Sequence, residues 1–233
     1  MTGMLEEQAR IRAPLFKDRK EAGEVLSACL AAYREKDALV LGIPRGGVPV
    51  AAEVARGLNA EMDIIVARKL GSPNSAELAI GAVTANGGRF LNEAVIRELD
   101  VSDMYLARVT EAEMAEARRR EEKFRRSRPA PTLKDRIVIL VDDGLATGAT
   151  MRAAVRSVRK AMPARLVVAV PVAPPQTCAE LRQETDEVVC PYQPEPFWAI
   201  GVFYQNFAPT EDSEVESLMR QEYDRLLAGR GVR

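Results

Sequence analysis

Histidine is absent from this 233-residue chain. That single absence removes Ser-His-Asp triads, histidine-ligated zinc and imidazole general bases. Cysteine is scarce: Cys29, Cys178 and Cys190 are odd in number and widely spaced, which excludes a disulfide framework and a CxxC-type metal site. No apolar run approaches the roughly 20 residues that span a bilayer. The opening segment MTGMLEEQARIRAP has no apolar h-region, so no secretory leader is expected and the cytoplasm is the expected compartment. Charge of one sign is also lacking, since 33 Lys and Arg face 34 Asp and Glu for a net charge of −1. Such a balance argues against a chain whose main task is gripping nucleic acid. The one basic cluster, Arg118–Arg128, is interleaved with Glu121 and Glu122 and reads as a solvated helix face. Chemistry is left to carboxylates, Lys, Arg, hydroxyls, backbone amides and a borrowed metal ion.

What is present is an alternation. The continuous apolar runs Ala38–Leu41, Asp63–Ala67, Ile137–Val141 and Leu166–Val170, with Val188–Cys190 as a weaker fifth, read as strands buried on both faces. Helical patterns lie between and around them over Lys20–Arg34, Val48–Leu58, Ser102–Arg126, Ala149–Met162, Gln176–Glu184 and Ser213–Leu227. The order predicts an α/β fold: a doubly wound, mainly parallel five-stranded sheet with flanking helices, all in one domain of residues 1–233. Such sheets bind ligands beyond the carboxyl ends of their strands. Two regions break the alternation. Leu70–Leu91, with an apolar Leu78–Val83 stretch and an Asn86-Gly87-Gly88 turn, reads as a flexible loop with a hairpin. Pro191–Glu211 holds six of the twelve aromatics, including the only tryptophan, a concentration that suits a binding lip better than a core element.

The strongest local signal is Ile137–Met151, IVILVDDGLATGATM. A regular strand would send Asp142 and Asp143 to opposite faces, one of them into the core. An unpaired buried carboxylate is costly, so the chain is expected to leave the strand there with both acids at the sheet edge. The turn Ala146–Thr150 then offers backbone N–H groups at a helix N-terminus, a ready anion site, with hydroxyl donors on Thr147 and Thr150. Paired acids beside a phosphate cradle suit a ribose 5-phosphate. A second phosphate-sized nest is GIPRGG, Gly42–Gly47, with the Arg45 guanidinium beside Gly46 and Gly47. Arg68 and Lys69 are expected to close the second strand, two cations at a strand end.

VDDGLATGATM resembles the motif by which type I phosphoribosyltransferases bind 5-phosphoribosyl-1-pyrophosphate (PRPP), and is most similar to the adenine phosphoribosyltransferase version. The resemblance implies transfer of the phosphoribosyl group to a nitrogenous base, with Mg²⁺ as cofactor. It implies that Asp142 and Asp143 hold the ribose hydroxyls and, through substrate and water, the metal. Ala146, Thr147, Gly148, Ala149 and Thr150 would take the 5′-phosphate. Arg45, Gly46 and Gly47 resemble the pyrophosphate loop, with a cis peptide expected between Arg45 and Gly46. Arg68 and Lys69 resemble the basic pair beside the flexible loop, in which Glu77 is a candidate acid. Trp198, in FWAIGVFYQNF, looks like the base-stacking ring of a hood built from about 1–35 and 191–233. The implied partners are PRPP and a small aromatic nitrogen base, with a homodimer as a candidate assembly.

The pattern also departs from relatives acting on 6-oxopurines. Ala146 stands where those enzymes carry an aspartate, and Val172 and Gln205 replace their purine-reading Lys and Asp, which disfavours hypoxanthine and guanine. Adenine stays open, as does a base that is not a purine. A PRPP-binding regulator without turnover and a phosphoribosyl or nucleotide hydrolase on the same cradle are the alternatives.

Overall fold

The computed structural model of the chain describes residues 14–73, 75–126 and 128–230, the side chains of residues 76, 77 and 230 excepted. The expected hood contribution of residues 1–13 and 231–233 lies outside the described residues. In chain order come α1 (Arg19–Cys29), a 3-10 turn (Ala31–Tyr33), β1 (Leu39–Gly42), α2 (Gly47–Leu58), β2 (Glu61–Ile64), β3 (Ala67–Ser72), β4 (Ser75–Thr84) and β5 (Arg89–Leu91). There follow α3 (Glu93–Glu98), α4 (Asp103–Arg125), β6 (Ile137–Val141), α5 (Ala149–Lys160), β7 (Arg165–Ala169), α6 (Pro175–Arg182), β8 (Glu187–Val189), a second 3-10 turn (Ile200–Phe203) and α7 (Asp212–Arg230).

Four of the five expected runs, with only Asp63 and Ile64 of the run Asp63–Ala67, pair into one parallel sheet in the order β2-β1-β6-β7-β8. Successive side chains alternate faces, and both faces are covered. Leu39, Leu41, Val138 and Leu140 meet Met151 and Val155 of α5, while Val40, Ile139 and Val141 meet Leu26 of α1 and Val54 of α2. Continuous apolar strands were needed because neither face is wet.

Register matters most for function. Gly42 of β1 lies opposite both Ile64 of β2 and Val141 of β6. The three strands therefore end level, and the residues that follow β1 and β6 emerge side by side on one edge.

The region after β2 differs from expectation. The second strand ends at Ile64, and from Ala67 the chain runs into a separate antiparallel sheet, β3-β4-β5. Its Gly87 takes φ +73 in the expected Asn-Gly-Gly turn. A Cβ at Gly88 would overlap Ala153 O and Ser157 of α5, so the turn is seated on that helix.

The long helix α4 begins at an N-cap Ser102, whose side chain accepts from Tyr105 N. Its fully buried Phe124 packs among Val66, Val215 and Met219, worth about 1.5–3 kcal/mol. The basic run on this helix is less solvated than expected. Arg125 binds Asp63 and Glu121, Arg118 donates to Ala85 O, and Arg128 to Met219 O, so its cations tie the helix to the body.

Candidate active site

Beyond the level strand ends, β6 stops at Val141 and the two acids leave the sheet, as the cost of an unpaired core carboxylate requires. Asp143 N donates to Asp142 Oδ1 at 2.9 Å, which locks the acids to each other. Asp143 is 7% exposed and Asp142 half-buried. The Asp143 carboxylate accepts from Arg19 Nε at 2.7 Å, and its carbonyl accepts from the Tyr204 hydroxyl at 2.6 Å. Burial pushes both carboxyls up, joined at Asp142 by the neighbouring Asp143 and opposed at Asp143 by the Arg19 guanidinium. The same burial, with the Asp143 charge, pushes the Tyr204 hydroxyl up and keeps it a neutral donor.

The glycine turn lies against these acids. Ile43 N donates to Val141 O at 2.9 Å, carrying the chain from β1 across to the end of β6. A Cβ on Gly46 would overlap Asp143 Oδ2, and one on Gly47 would sit 2.8 Å from Val141 O and 2.9 Å from Asp142 Oδ1. Two glycines are thus a packing requirement of the acid pair. The cis peptide joins Pro44 and Arg45, not Arg45 and Gly46 as expected, so the turn's unusual bond lies one residue earlier. Arg45 is exposed, with NH1 3.5 Å from Asp212 and 3.9 Å from Glu211.

The Ala146–Thr150 turn sits on the same edge. Gly148 takes φ +69 as N-cap of α5, a conformation that favours glycine. The first amides of α5 have no acceptor one turn back, and Ala146 and Thr147 are exposed beside them. Thr177 of α6 braces the turn: its hydroxyl donates to Ala146 O at 2.8 Å, and its methyl would lie 2.9 Å from a Cβ at Gly148.

Arg68 and Lys69 are not at the end of the second parallel strand. They lie on β3, because the chain has already left the main sheet after Ile64. Arg68 Nε is 2.7 Å from Glu113 of α4, whereas Lys69 is exposed with no ion pair among the described residues. The side chain of Glu77 lies outside the described residues. Trp198 is 80% exposed. Elsewhere in the same aromatic region, Phe16, Ala22, Phe203, Tyr204 and Phe207 form a small cluster that includes Val172, which is fully buried, and to which Trp198 does not belong.

Arg19, Tyr204 and Thr177 were not singled out in the sequence. Each reaches the site across a long separation: 124 residues for Arg19 to Asp143, 61 for Tyr204 to Asp143 and 31 for Thr177 to Ala146. No local pattern announces such contacts. The aromatic concentration at Pro191–Glu211 was the only signal near Tyr204.

Among the described residues no group of three or more His, Cys, Asp or Glu side chains could hold a metal ion. Two hard carboxylates, one tied to Arg19, fit Mg²⁺ only as partial or water-mediated partners, and a small hard ion accepts that arrangement when substrate oxygens complete its shell.

The level acid pair, glycine turn and phosphate turn belong to a recognised class. The phosphoribosyl transferase domain model matches residues 16–206, and the chain is a member of that family. Over 205 residues it is 44% identical to proteins from two Mycobacterium tuberculosis strains, CDC 1551 and H37Rv, each named "Putative phosphoribosyl transferase". That match covers 88% of this chain and 46% of each relative, so the chain spans about half their length. The crystal structure of TT1426 from Thermus thermophilus is 42% identical, with TM-score 0.75, covering 88% of this chain and 98% of that one.

Proposed function

We propose that the chain transfers the 5-phosphoribosyl group of PRPP to a ring nitrogen of a small aromatic base, releasing pyrophosphate. The observation that supports this reading is the convergence of acid pair, glycine turn and phosphate turn on one edge, fixed by the Gly42–Val141 register. In this reading the amides and hydroxyls of Ala146–Thr150 take the 5′-phosphate. Asp142 and Asp143 hold the ribose, and Arg45–Gly47 receive the pyrophosphate. The C1′–O bond breaks with its electron pair leaving on pyrophosphate, the base nitrogen bonds C1′, and the base gives its N–H proton to water. Positioning and charge stabilisation carry such a step more than a strong nucleophile does. Bound Mg²⁺ would supply charge neutralisation on pyrophosphate, and Asp142 and Asp143 would hold it through substrate and water.

Arg68 and Lys69, placed on β3, would meet pyrophosphate only when that ribbon folds toward the edge. The cluster joining Phe16 to Phe203–Phe207 is the hood in this account, and Trp198 stands out from it as a stacking face for the base. Adenine is the leading named base because of VDDGLATGATM, although that motif reads PRPP and not the acceptor. No helix among the described residues is long and apolar enough to cross a membrane. A cytoplasmic enzyme is the reading that suits a soluble substrate pair.

Pyrophosphate release from PRPP, followed with and without a panel of aromatic bases, tests the assignment. Base-dependent release supports a transferase. Release without base indicates a hydrolase, and binding without release indicates a regulator.

A further inference from the structure

The two acids of the site are not equivalent, and the cause is a residue outside the motif. Arg19 opens α1, capped by Asp18, and its side chain is 12% exposed. Its guanidinium makes three contacts at once: Nε donates to Asp143 Oδ2 at 2.7 Å, NH1 donates to Ala208 O at 2.8 Å, and the plane lies 4.0 Å from the centre of the Phe207 ring. Asp143 Oδ2 is in turn the atom that a Cβ on Gly46 would strike first. Arg19, Asp143 and Gly46 thus form a continuous stack from the aromatic segment to the glycine turn. Asp142 has no cation within ion-pair distance among the described residues and keeps one oxygen beyond that bonded to Asp143 N.

We infer that Arg19 is a positioning residue for PRPP, acting through Asp143: the Arg19–Asp143 pair anchors the glycine turn and orients Asp143 beside Asp142, so that the two acids meet the ribose in one fixed arrangement. Two unpaired adjacent carboxylates would repel a polyanionic substrate and each other, and a fixed guanidinium on one of them removes that penalty. Arginine suits the task because its planar fork serves the carboxylate, the carbonyl and the ring face together, which a lysine ammonium does not.

The inference rests on the PRPP reading above. Its test is a double-mutant cycle on Mg²⁺-PRPP affinity, measured by isothermal titration for the wild-type chain, R19K, D143N and R19K/D143N, with melting temperatures recorded alongside. Lysine retains the charge, and asparagine removes the buried anion, so the double variant holds no unpaired carboxylate at this position. The expected result is a loss of at least tenfold for R19K when Asp143 is present and of less than twofold when it is Asn. Equal losses in both backgrounds, or no loss in either, would overturn the inference, since Arg19 would then act independently of Asp143 or not on PRPP at all. A positioning role confined to stability would lower the melting temperature of R19K and leave its PRPP affinity unchanged, which also overturns it. A wild-type chain that binds no PRPP would instead refute the functional reading itself, and the inference with it.

Discussion

Gly46→Ala sets two physical effects of opposite sign against each other. Gly46 has φ −62 and ψ −31, an ordinary helical conformation at the head of α2. At a backbone position that alanine can adopt, the substitution stabilises by about 0.4–1 kcal/mol through the unfolded chain. Here the new Cβ would overlap Asp143 Oδ2, lie 2.8 Å from Asp143 Cγ and come within 3.3 Å of Arg19 Nε. The carboxylate cannot swing away without giving up Arg19. Overpacking of this kind costs about 1–3 kcal/mol, and full loss of a buried ion pair costs about 3–5 kcal/mol. The clash wins. G46A should lose about 1–3 kcal/mol net, a fall in Tm of roughly 3–10 °C at this chain length, with Mg²⁺-PRPP affinity down about tenfold. Gly229→Ala is the control: it lies in α7, where an added Cβ meets nothing within 4 Å, and should raise Tm by about 1–3 °C. Calorimetry on both variants decides. If G46A rises with G229A, the acid pair does not press on the glycine turn and the packing argument fails.

Other outcomes follow from the same geometry. Thr177→Val removes the donor to Ala146 O but keeps the shape, and should weaken ribose 5-phosphate binding by about 0.5–1.5 kcal/mol while T177S stays near wild type; equal affinities would show that the turn holds itself. Because Trp198 is 80% exposed, W198A should leave stability within about 0.5 kcal/mol and weaken the best acceptor base by about 1–3 kcal/mol, read from steady-state kinetics; a large drop in Tm would mean that the ring supports the fold. Arg159 holds the Asp186 carboxyl below its ordinary value of 3.8, so this pair contributes stability above that value and loses it as pH falls through the lower folded value. R159M should flatten that acid limb in pH-dependent urea melts, and an unchanged slope would dismiss the pair.

Much of this architecture was legible because apolar continuity and level charge are local properties. The Ile137–Val141 strand falls at the expected residues, and α4 lies within its expected Ser102–Arg126 span because an N-cap serine and a long polar helical pattern mark it. The second strand was drawn too late. Ile65 and Val66 are as apolar as the strand before them, yet Ile65 packs against Met151 and Val155 of α5 and Val66 against Phe124 of α4 and Met219 of α7, while Ala67 already opens β3 opposite Thr84. Hydrophobicity reports burial and not the partner, so Arg68 and Lys69 were assigned to the wrong element. Within the site, the acid pair and both turns were readable because each is a contiguous motif. Arg19 was not, since one arginine before a helix looks like any other until the chain brings it to Asp143.

In the proposed function, Asp142 and Asp143 hold the ribose of PRPP at the edge made by β1 and β6. Isothermal titration of PRPP into the wild-type chain and into D142N/D143N, each with and without Mg²⁺, decides this. The expected result is Mg²⁺-dependent binding that is lost in the double variant, with the variant still folded by its melting curve, because Asn relieves buried charge while keeping side-chain shape. Undiminished affinity in a folded D142N/D143N chain would contradict it.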